Sequence, residues 1–346
     1  MDRTAILKIG AVGLRPGLAL IALALLLASA IPSSALQATP APRQPAASAS
    51  VATPAAGKAE TAAVEALMER AGTVQPGTFA VTGETLTASA DELPLVIQAD
   101  ALRGSDKAVR IVVALGSRVT LPAVTRARIV TVARPGAARS VLSEISGTSA
   151  AGLVRSVGNA VLQPGDNELQ AAVAQRGRRG DVLVSFTRAP LVIPDLWQGG
   201  LAVSPIVLAD AVAAAPAASA GSAFAFGPTA LWPATTDRFA QARELSVAFR
   251  VFNWSAPAEG KPDLSVEYVF YESATRGRHF FNKLKPQLLN THTLGERFDA
   301  ASGAVNSGMT IPLQAFPIGE FQLVVRVMDN RTKQVATQET RFSVVP

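Results

Sequence analysis

Cysteine is absent from this chain of 346 residues, and other chemically active residue types are scarce. The lack of thiols excludes disulfide cross-links, cysteine nucleophiles and cysteine-ligated zinc sites. Histidine occurs only at His279 and His292, and the G-x-S-x-G, H-E-x-x-H and glycine-rich phosphate-loop motifs are missing. The sequence therefore gives no sign of a familiar hydrolase, zinc enzyme or nucleotide-binding protein, and we expect no cofactor and no metal.

Aromatic residues make up only 5% of the chain and charged residues 17%, with a net charge of +6. An excess of positive charge favours contact with anionic surfaces such as envelope polysaccharide. No zinc-finger, RNP-type or Lys/Arg-rich helical pattern accompanies it, so nucleic acid is not an expected partner.

The N-terminus has the pattern of a secretory signal peptide over residues 1–35. Arg3, Lys8 and Arg15 precede an apolar run that begins at Gly17 and is followed by small residues. As a helix the run would be about 24 Å long, short of the roughly 30 Å hydrocarbon core. We therefore expect cleavage, export to the periplasm or the outside of the cell, and no membrane span afterwards; an uncleaved anchor is the alternative.

Residues 36–75 are predicted to be a flexible linker. Residues 38–58 are rich in Ala, Pro and Ser and have no apolar period, which is typical of a disordered leader. The spacing of apolar residues over 59–71 predicts one short helix that ends near Gly72.

Apolar residues then recur at every second position, a spacing typical of β-strands with one face on a core. KAVRIVVALG (107–116) and LSVAFRVF (245–252) are examples. No long amphipathic helix pattern interrupts these stretches, which argues against parallel βαβ units. We predict an all-β fold of two tandem antiparallel β-sandwich, immunoglobulin-like domains, at 76–198 and 199–346.

One phrase occurs twice in the chain, at 162–194 and at 316–346. The first copy reads LQPGDNELQAAVAQRGRRGDVLVSFTRAPLVIP and the second FPIGEFQLVVRVMDNRTKQVATQETRFSVVP; the two align with Gly165 on Gly319. In each copy a polar, turn-forming stretch separates two apolar stretches, which predicts a β-hairpin. The repetition indicates that each predicted domain ends in a matching hairpin.

Several stretches together resemble a known family. They are the PG-x-x-x-L strand that begins at Pro164, VIPDLWQGGLAVSPIVLAD (192–210), FGPTALWPATTDRF (226–239), ELSVAFRVFNW (244–254) and IGEFQLVVRVMDNRT (318–332). The chain over 79–346 resembles the C-terminal β-rich region of secreted bacterial proteins related to von Willebrand factor A. The resemblance implies an exported β-rich region of unassigned role that usually follows an integrin-like A domain. This chain has no Asp-x-Ser-x-Ser metal site and too few residues over 36–75 for an A domain, so metal-dependent adhesion is not carried over.

Two groups of residues are candidates for partner binding. The first lies within 268–293 and combines ring and cationic side chains: Tyr271, Arg276, Arg278, Phe280, Phe281, Lys283 and Lys285. Such a group can form a stacking and cationic surface for an acidic glycan or a partner peptide, although Phe280 or Phe281 can instead anchor the core. The second group, Arg176, Arg178 and Arg179, crowds one hairpin tip, where it indicates either an electrostatic contact or simply a soluble turn.

These observations favour an exported, non-catalytic binding or spacing module that contacts an envelope protein or an anionic surface polysaccharide. The low content of Trp and Tyr favours a protein partner over a glycan. The alternatives are a glycan-binding module, or a hydrolytic enzyme with an unrecognised loop site near His279 and His292.

Overall fold

The computed structural model describes residues 58–82, 85–89, 95–104, 109–117, 125–133, 139–146, 153–160, 164–176, 180–214, 224–256, 260–274 and 277–346. Over 125–160 the description covers the backbone. The predicted signal peptide and the leader as far as residue 57 lie outside the described residues.

The described part of the chain contains one α-helix, α1 (Lys58–Glu69), and twenty-two strands. The strands are β1 (Gly77–Thr82), β2 (Thr85–Ala88), β3 (Leu95–Arg103), β4 (Val109–Ser117), β5 (Thr125–Ala133), β6 (Arg139–Ser146), β7 (Leu153–Ala160), β8 (Gly165–Arg176), β9 (Val182–Ile193), β10 (Ala202–Val203), β11 (Val207–Ala214), β12 (Ala225–Phe226), β13 (Thr229–Pro233), β14 (Arg238–Ala240), β15 (Glu244–Phe252), β16 (Leu264–Ala274), β17 (Gly277–Lys283), β18 (Gln287–Leu289), β19 (Phe298–Asp299), β20 (Ala304–Pro312), β21 (Gly319–Asp329) and β22 (Val335–Val345). The predicted all-β class is confirmed.

The strands form four sheets. Sheet A has the order β2-β1-β9-β8-β5-β6 and sheet B the order β3-β4-β7. Sheet C has the order β12-β13-β11-β15-β20-β19, with β10 also paired to β15, and sheet D has the order β14-β22-β21-β16-β17, with β18 also paired to β16. Sheets A and B form the first sandwich, and sheets C and D form the second.

Each sandwich has a core between its two sheets. In the first, Ile111 and Val113 of sheet B contact Leu169 and Val173 of sheet A. In the second, residues such as Phe249 of sheet C pack against Tyr268, Phe270 and Phe321 of sheet D. The alternation along each strand places these apolar side chains on one face.

The two sandwiches share one strand order. In the first, the hairpin β8–β9 lies next to the pair β5–β6, and in the second the hairpin β21–β22 lies next to the pair β16–β17. The strands on the other side of the hairpins differ, because β1 is antiparallel to the first half of β9 whereas β14 is parallel to the end of β22. The opposite sheets match as well, since β3-β4-β7 corresponds to β11-β15-β20 in the same chain order. Both copies of the repeated phrase form antiparallel hairpins that start at Gly165 and Gly319.

The sandwiches are stacked on each other through sheets B and C. Val112 and Ala114 project from sheet B onto a cluster that includes Phe224 and Phe226 of the second sandwich. The sequence pattern predicts one buried face for β4 and for β15, but both faces are buried because a further sheet covers the second one. The close approach is visible at Gly116, where an added Cβ would lie 2.6 Å from Thr235 Cα.

Two arginines tie the sandwiches together with polar contacts. Arg250 on β15 donates from Nε to Asp100 Oδ2 on β3 at 2.9 Å, and both side chains are buried. Arg103 on β3 donates from Nη2 to Asn253 Oδ1 at 2.6 Å, and its guanidinium lies over the rings of Trp197 and Phe252.

α1 covers the outer face of sheet A. Its apolar side, including Leu67 and Met68, packs on Ala172, Val184 and Phe186. In the described residues no helix has both the length and the apolar character that crossing a bilayer requires.

Candidate interaction surface

The first candidate group lies on the hairpin formed by β16 and β17. β17 is the last strand of sheet D in the strand order, and most of its residues are exposed. A strand in this position offers backbone N–H and C=O groups to a further strand. Of the predicted residues in this hairpin, Arg276 lies outside the described residues.

Three predicted side chains come together on the outer face of the hairpin. Tyr271 pairs with Phe280 across the strands, and their rings meet edge to face with centroids 6.3 Å apart. The Arg278 guanidinium lies over the Tyr271 ring, 4.5 Å from its centroid. Phe280 is 64% exposed, which leaves a large apolar ring in solvent beside a cation. This arrangement can stack on an aromatic or planar group of a partner and meet a carboxylate.

Arg278 is held in place by side chains of β21 and β22, on the far side of β16. Its Nη1 donates to Gln322 Oε1 at 2.9 Å and to Glu339 Oε1 at 3.3 Å. Gln322 in turn donates from Nε2 to Glu339 Oε2. Sequence analysis missed Gln322 and Glu339, although both are polar residues within the second copy of the repeated phrase, whose hairpin β21–β22 continues the sheet beyond β16.

Phe281 belongs to the core. The register shifts between Phe270 and Tyr271, so that Phe281 has no opposite residue on β16. Its ring lies 4.9 Å from that of Phe316 and 5.3 Å from that of Phe321, measured between centroids. The two adjacent phenylalanines thus separate into one core anchor and one exposed ring.

The two lysines complete the described part of this group. Lys283 Nζ lies 2.7 Å from Glu267 Oε1, and Arg326 Nη1 lies 3.6 Å from Glu267 Oε2. Lys285 follows β17 and is exposed. Exposed ion pairs of this kind add little stability, so these cations are available to a partner at small cost.

The arginines of the hairpin tip are only partly described. Arg178 and Arg179 lie outside the described residues. Arg176, at the end of β8, places Nε 2.8 Å from Oε1 of the buried Glu60 in α1. The Arg176 side chain therefore connects sheet A with the helix that covers it.

The two histidines lie on different elements. His279 is an exposed residue of β17 that pairs across the hairpin with Glu272. His292 lies in the turn after β18, where its backbone N–H donates to Asn290 Oδ1. Within the described ranges, no three His, Asp or Glu side chains are grouped in a way that could hold a metal ion.

Comparisons with known proteins do not assign the chain to a family. No family model matches it, and no curated protein gives a significant match. Similarity is found to solved structures of beta-glucuronidases from Bacteroides uniformis. A calcium-binding mutant of beta-glucuronidase 2 matches with 12% identity over 78% of this chain and 32% of that chain, at a TM-score of 0.20. A further beta-glucuronidase structure matches with 10% identity over 78% of this chain and 31% of that chain, at a TM-score of 0.22.

This chain therefore spans about a third of the length of those solved structures.

Proposed function

We propose that this chain is an exported, non-catalytic protein in which two tandem immunoglobulin-like sandwiches present a surface for protein partners at the cell envelope. The observation that carries the proposal is β17, a strand at the edge of sheet D with an exposed Phe280 beside Arg278 and Tyr271. Aromatic and arginine side chains are the groups that most often dominate the binding energy of protein interfaces.

The matching strand order of the two sandwiches supports the tandem arrangement, and the N-terminal sequence pattern supports export. The same sequence pattern supports a mature protein without a membrane span.

The test is a pull-down from envelope extract with the full chain as bait, followed by measurement of affinity for each partner recovered. Phe280→Asp should weaken binding at least about tenfold. The variant would bury a carboxylate at the place in the interface where the wild-type protein buries an aromatic ring, and this is unfavourable. The unfolding free energy should change by less than about 0.5 kcal/mol, since Phe280 is exposed.

Val335→Asp is the matched control, because Val335 is an apolar residue of the same sheet, 48% exposed, on β22. Equal binding by wild type and Phe280→Asp would refute the surface. Strong, Phe280-dependent binding on a glycan array, without a protein partner, would show instead that the surface takes glycans.

A further inference from the structure

A groove of about 600 Å³ runs between the first sandwich and the second. One wall is formed by β3 from Leu95 to Ala99, and another by β9 from Thr187 to Val192. The second sandwich supplies the remaining sides through the segment around Ile206 and through β21 and β22. The groove does not include β17.

In the second sandwich, a short strand covers the edge of β22, the strand that corresponds to β9 in the first sandwich. There β14 pairs in parallel with the end of β22, with Arg238 opposite Ser343. The Ser343 N–H donates to Asp237 O at 2.7 Å. A strand of three residues therefore suffices to cover that edge.

The first sandwich lacks this cover in the part of the chain that the structure describes. Gly165 pairs with Ile193 and Gly319 pairs with Val344, so the shared register makes Val192 the counterpart of Ser343. β1 pairs with β9 only as far as Phe186, and no described strand continues beside the rest of β9.

The backbone of β9 is oriented for such pairing. Pro190 lies within the β8–β9 ladder but has no N–H to donate to β8. Proline is accommodated where its nitrogen points away from the paired strand, so the Pro190 nitrogen faces the edge of β9 opposite β8. Because the direction of the backbone groups alternates along a strand, the Val192 N–H faces the same way. The Val192 side chain is 50% exposed beside it.

The groove also has a charge preference. Glu339 forms an ion pair with Arg278, so these two groups together carry no net charge. Of the other charged residues that line the groove, Arg188 and Arg341 are cationic and Asp237 is anionic, and Arg188 Nη2 also donates to Val74 O at 2.8 Å. With apolar side chains such as Ile97 and Val192 between them, the groove matches a chain that alternates apolar and acidic residues.

We propose that an extended peptide segment of a partner protein binds in this groove as an added strand beside the end of β9, in the way that β14 binds β22. A carbonyl of the peptide accepts from the Val192 N–H, and its acidic side chains meet Arg188 and Arg341. The inference rests on the proposed function only in taking the partner to be a protein.

The test begins with a random-heptamer phage library selected on the immobilised full chain. The enriched sequence is then made as a fluorescein-labelled peptide and its affinity is measured by fluorescence anisotropy. We expect enriched peptides to alternate apolar with acidic residues. Val192→Pro, which removes the N–H, should weaken binding at least tenfold, whereas Val192→Ala, which keeps it, should have a much smaller effect.

Charge is tested with Arg341→Glu, which should weaken binding at least tenfold, against Arg331→Glu in the exposed turn after β21, which should not. Circular dichroism melts establish that each variant is folded.

If Val192→Pro does not fold, a series of labelled peptides replaces it, each N-methylated at one peptide bond. Loss of affinity at every second position supports strand addition.

Several outcomes would overturn the proposal. They are the absence of any enriched sequence, binding that is indifferent to Val192→Pro and Arg341→Glu, and competition by polygalacturonate without peptide binding. Binding only after removal of residues 36–57 would show that the chain's own leader occupies the groove. Phe280→Asp should leave peptide affinity unchanged, so a failure of the groove and a failure of the β17 surface are distinguishable.

Discussion

The two tyrosines of this chain lie three residues apart on β16 and have opposite environments. Tyr271 faces outward under Arg278, whereas Tyr268 is fully buried in the core of the second sandwich. The Tyr268 hydroxyl donates to Gln287 Oε1 at 3.3 Å and lies 3.5 Å from Ser307 Oγ. Burial disfavours the tyrosinate and raises the pKa of Tyr268 to about 12, although the hydrogen bond with Ser307 acts in the other direction.

This shift predicts a specific alkaline loss of stability. The folded-state pKa lies above the unfolded value of about 10, so the neutral Tyr268 stabilises the fold fully below pH 10. That contribution is lost as the pH rises from about 10 to about 12, and amounts to at most roughly 3 kcal/mol. Urea unfolding of wild type and Tyr268→Phe at pH 9 and pH 11.5 measures it; an identical pH dependence in the two proteins would contradict the prediction.

For the candidate surface, the sequence predicted which residues lie together but not the environment of each one. The pattern brought Tyr271, Arg278 and Phe280 into one group, and the structure places them together. It did not separate Phe280 from Phe281, because the local sequence does not reveal the register shift in β17 that leaves Phe281 unpaired. Nor did it show that Arg176 contacts Glu60 in α1, more than a hundred residues away along the chain.

Among the elements, β4 is the one on which the stacking of the two sandwiches depends most directly. Gly116 lies where the β13–β14 connection passes over sheet B, and an added Cβ would meet the backbone of Ala234 and Thr235. Neither neighbour is the end of a flexible side chain, so the backbone itself would have to move.

We therefore predict that Gly116→Val destabilises the chain by about 1–3 kcal/mol, the range typical of overpacked sites. Gly72→Val is the control, since nothing lies within 4 Å of a Cβ at Gly72 and its φ is not in the left-handed region. The measurement is the midpoint of chemical unfolding. A change in Gly116→Val no larger than that in Gly72→Val would show that the sheets can separate there without cost.

Strands with a clear period of two could be predicted, and those without it could not. VRIVVALG (109–116) lies in β4 and LSVAFRVF (245–252) in β15, and both hairpins of the repeated phrase are present. The Ala-rich stretch LADAVAAAPAASAGSAFAFGPTALWP (208–233) has a composition that predicts a long connection or a hairpin excursion. Its described residues include β11 and β13, which pair antiparallel, and β11 also pairs with β15 in sheet C. Its side chains are too small to give an apolar signal, and tertiary pairing decides its conformation.

At the scale of the whole molecule, the buried pair of Asp100 and Arg250 joins the two sandwiches. Burial raises the pKa of Asp100 above its usual range, and the Arg250 guanidinium acts against that rise. Arg250 also donates to Asn306 Oδ1 at 2.6 Å and to the carbonyl of Ala225, and it lies over the Phe226 ring. Removing one partner would leave the other buried without its counterpart.

A double-mutant cycle should reveal this coupling. Asp100→Ala and Arg250→Met are each expected to cost about 3–5 kcal/mol, because each strands a buried polar group. The double variant should lose much less than the sum of the two. The measurement is the unfolding free energy of all four proteins. Additive losses would mean that the pair acts as two independent residues.

The stacking of sheet B on sheet C has a consequence for biosynthesis. The first sandwich leaves the ribosome before the strands that cover Val112, Ala114 and Asp100 have been made. Until β15 supplies Arg250, the uncovered face of sheet B has the Asp100 carboxylate on its edge strand β3, and a carboxylate is costly to bury without a partner. The Asp100 carboxylate would therefore oppose non-native burial of this face during synthesis. Once Arg250 is in place, the same carboxylate joins the two sandwiches.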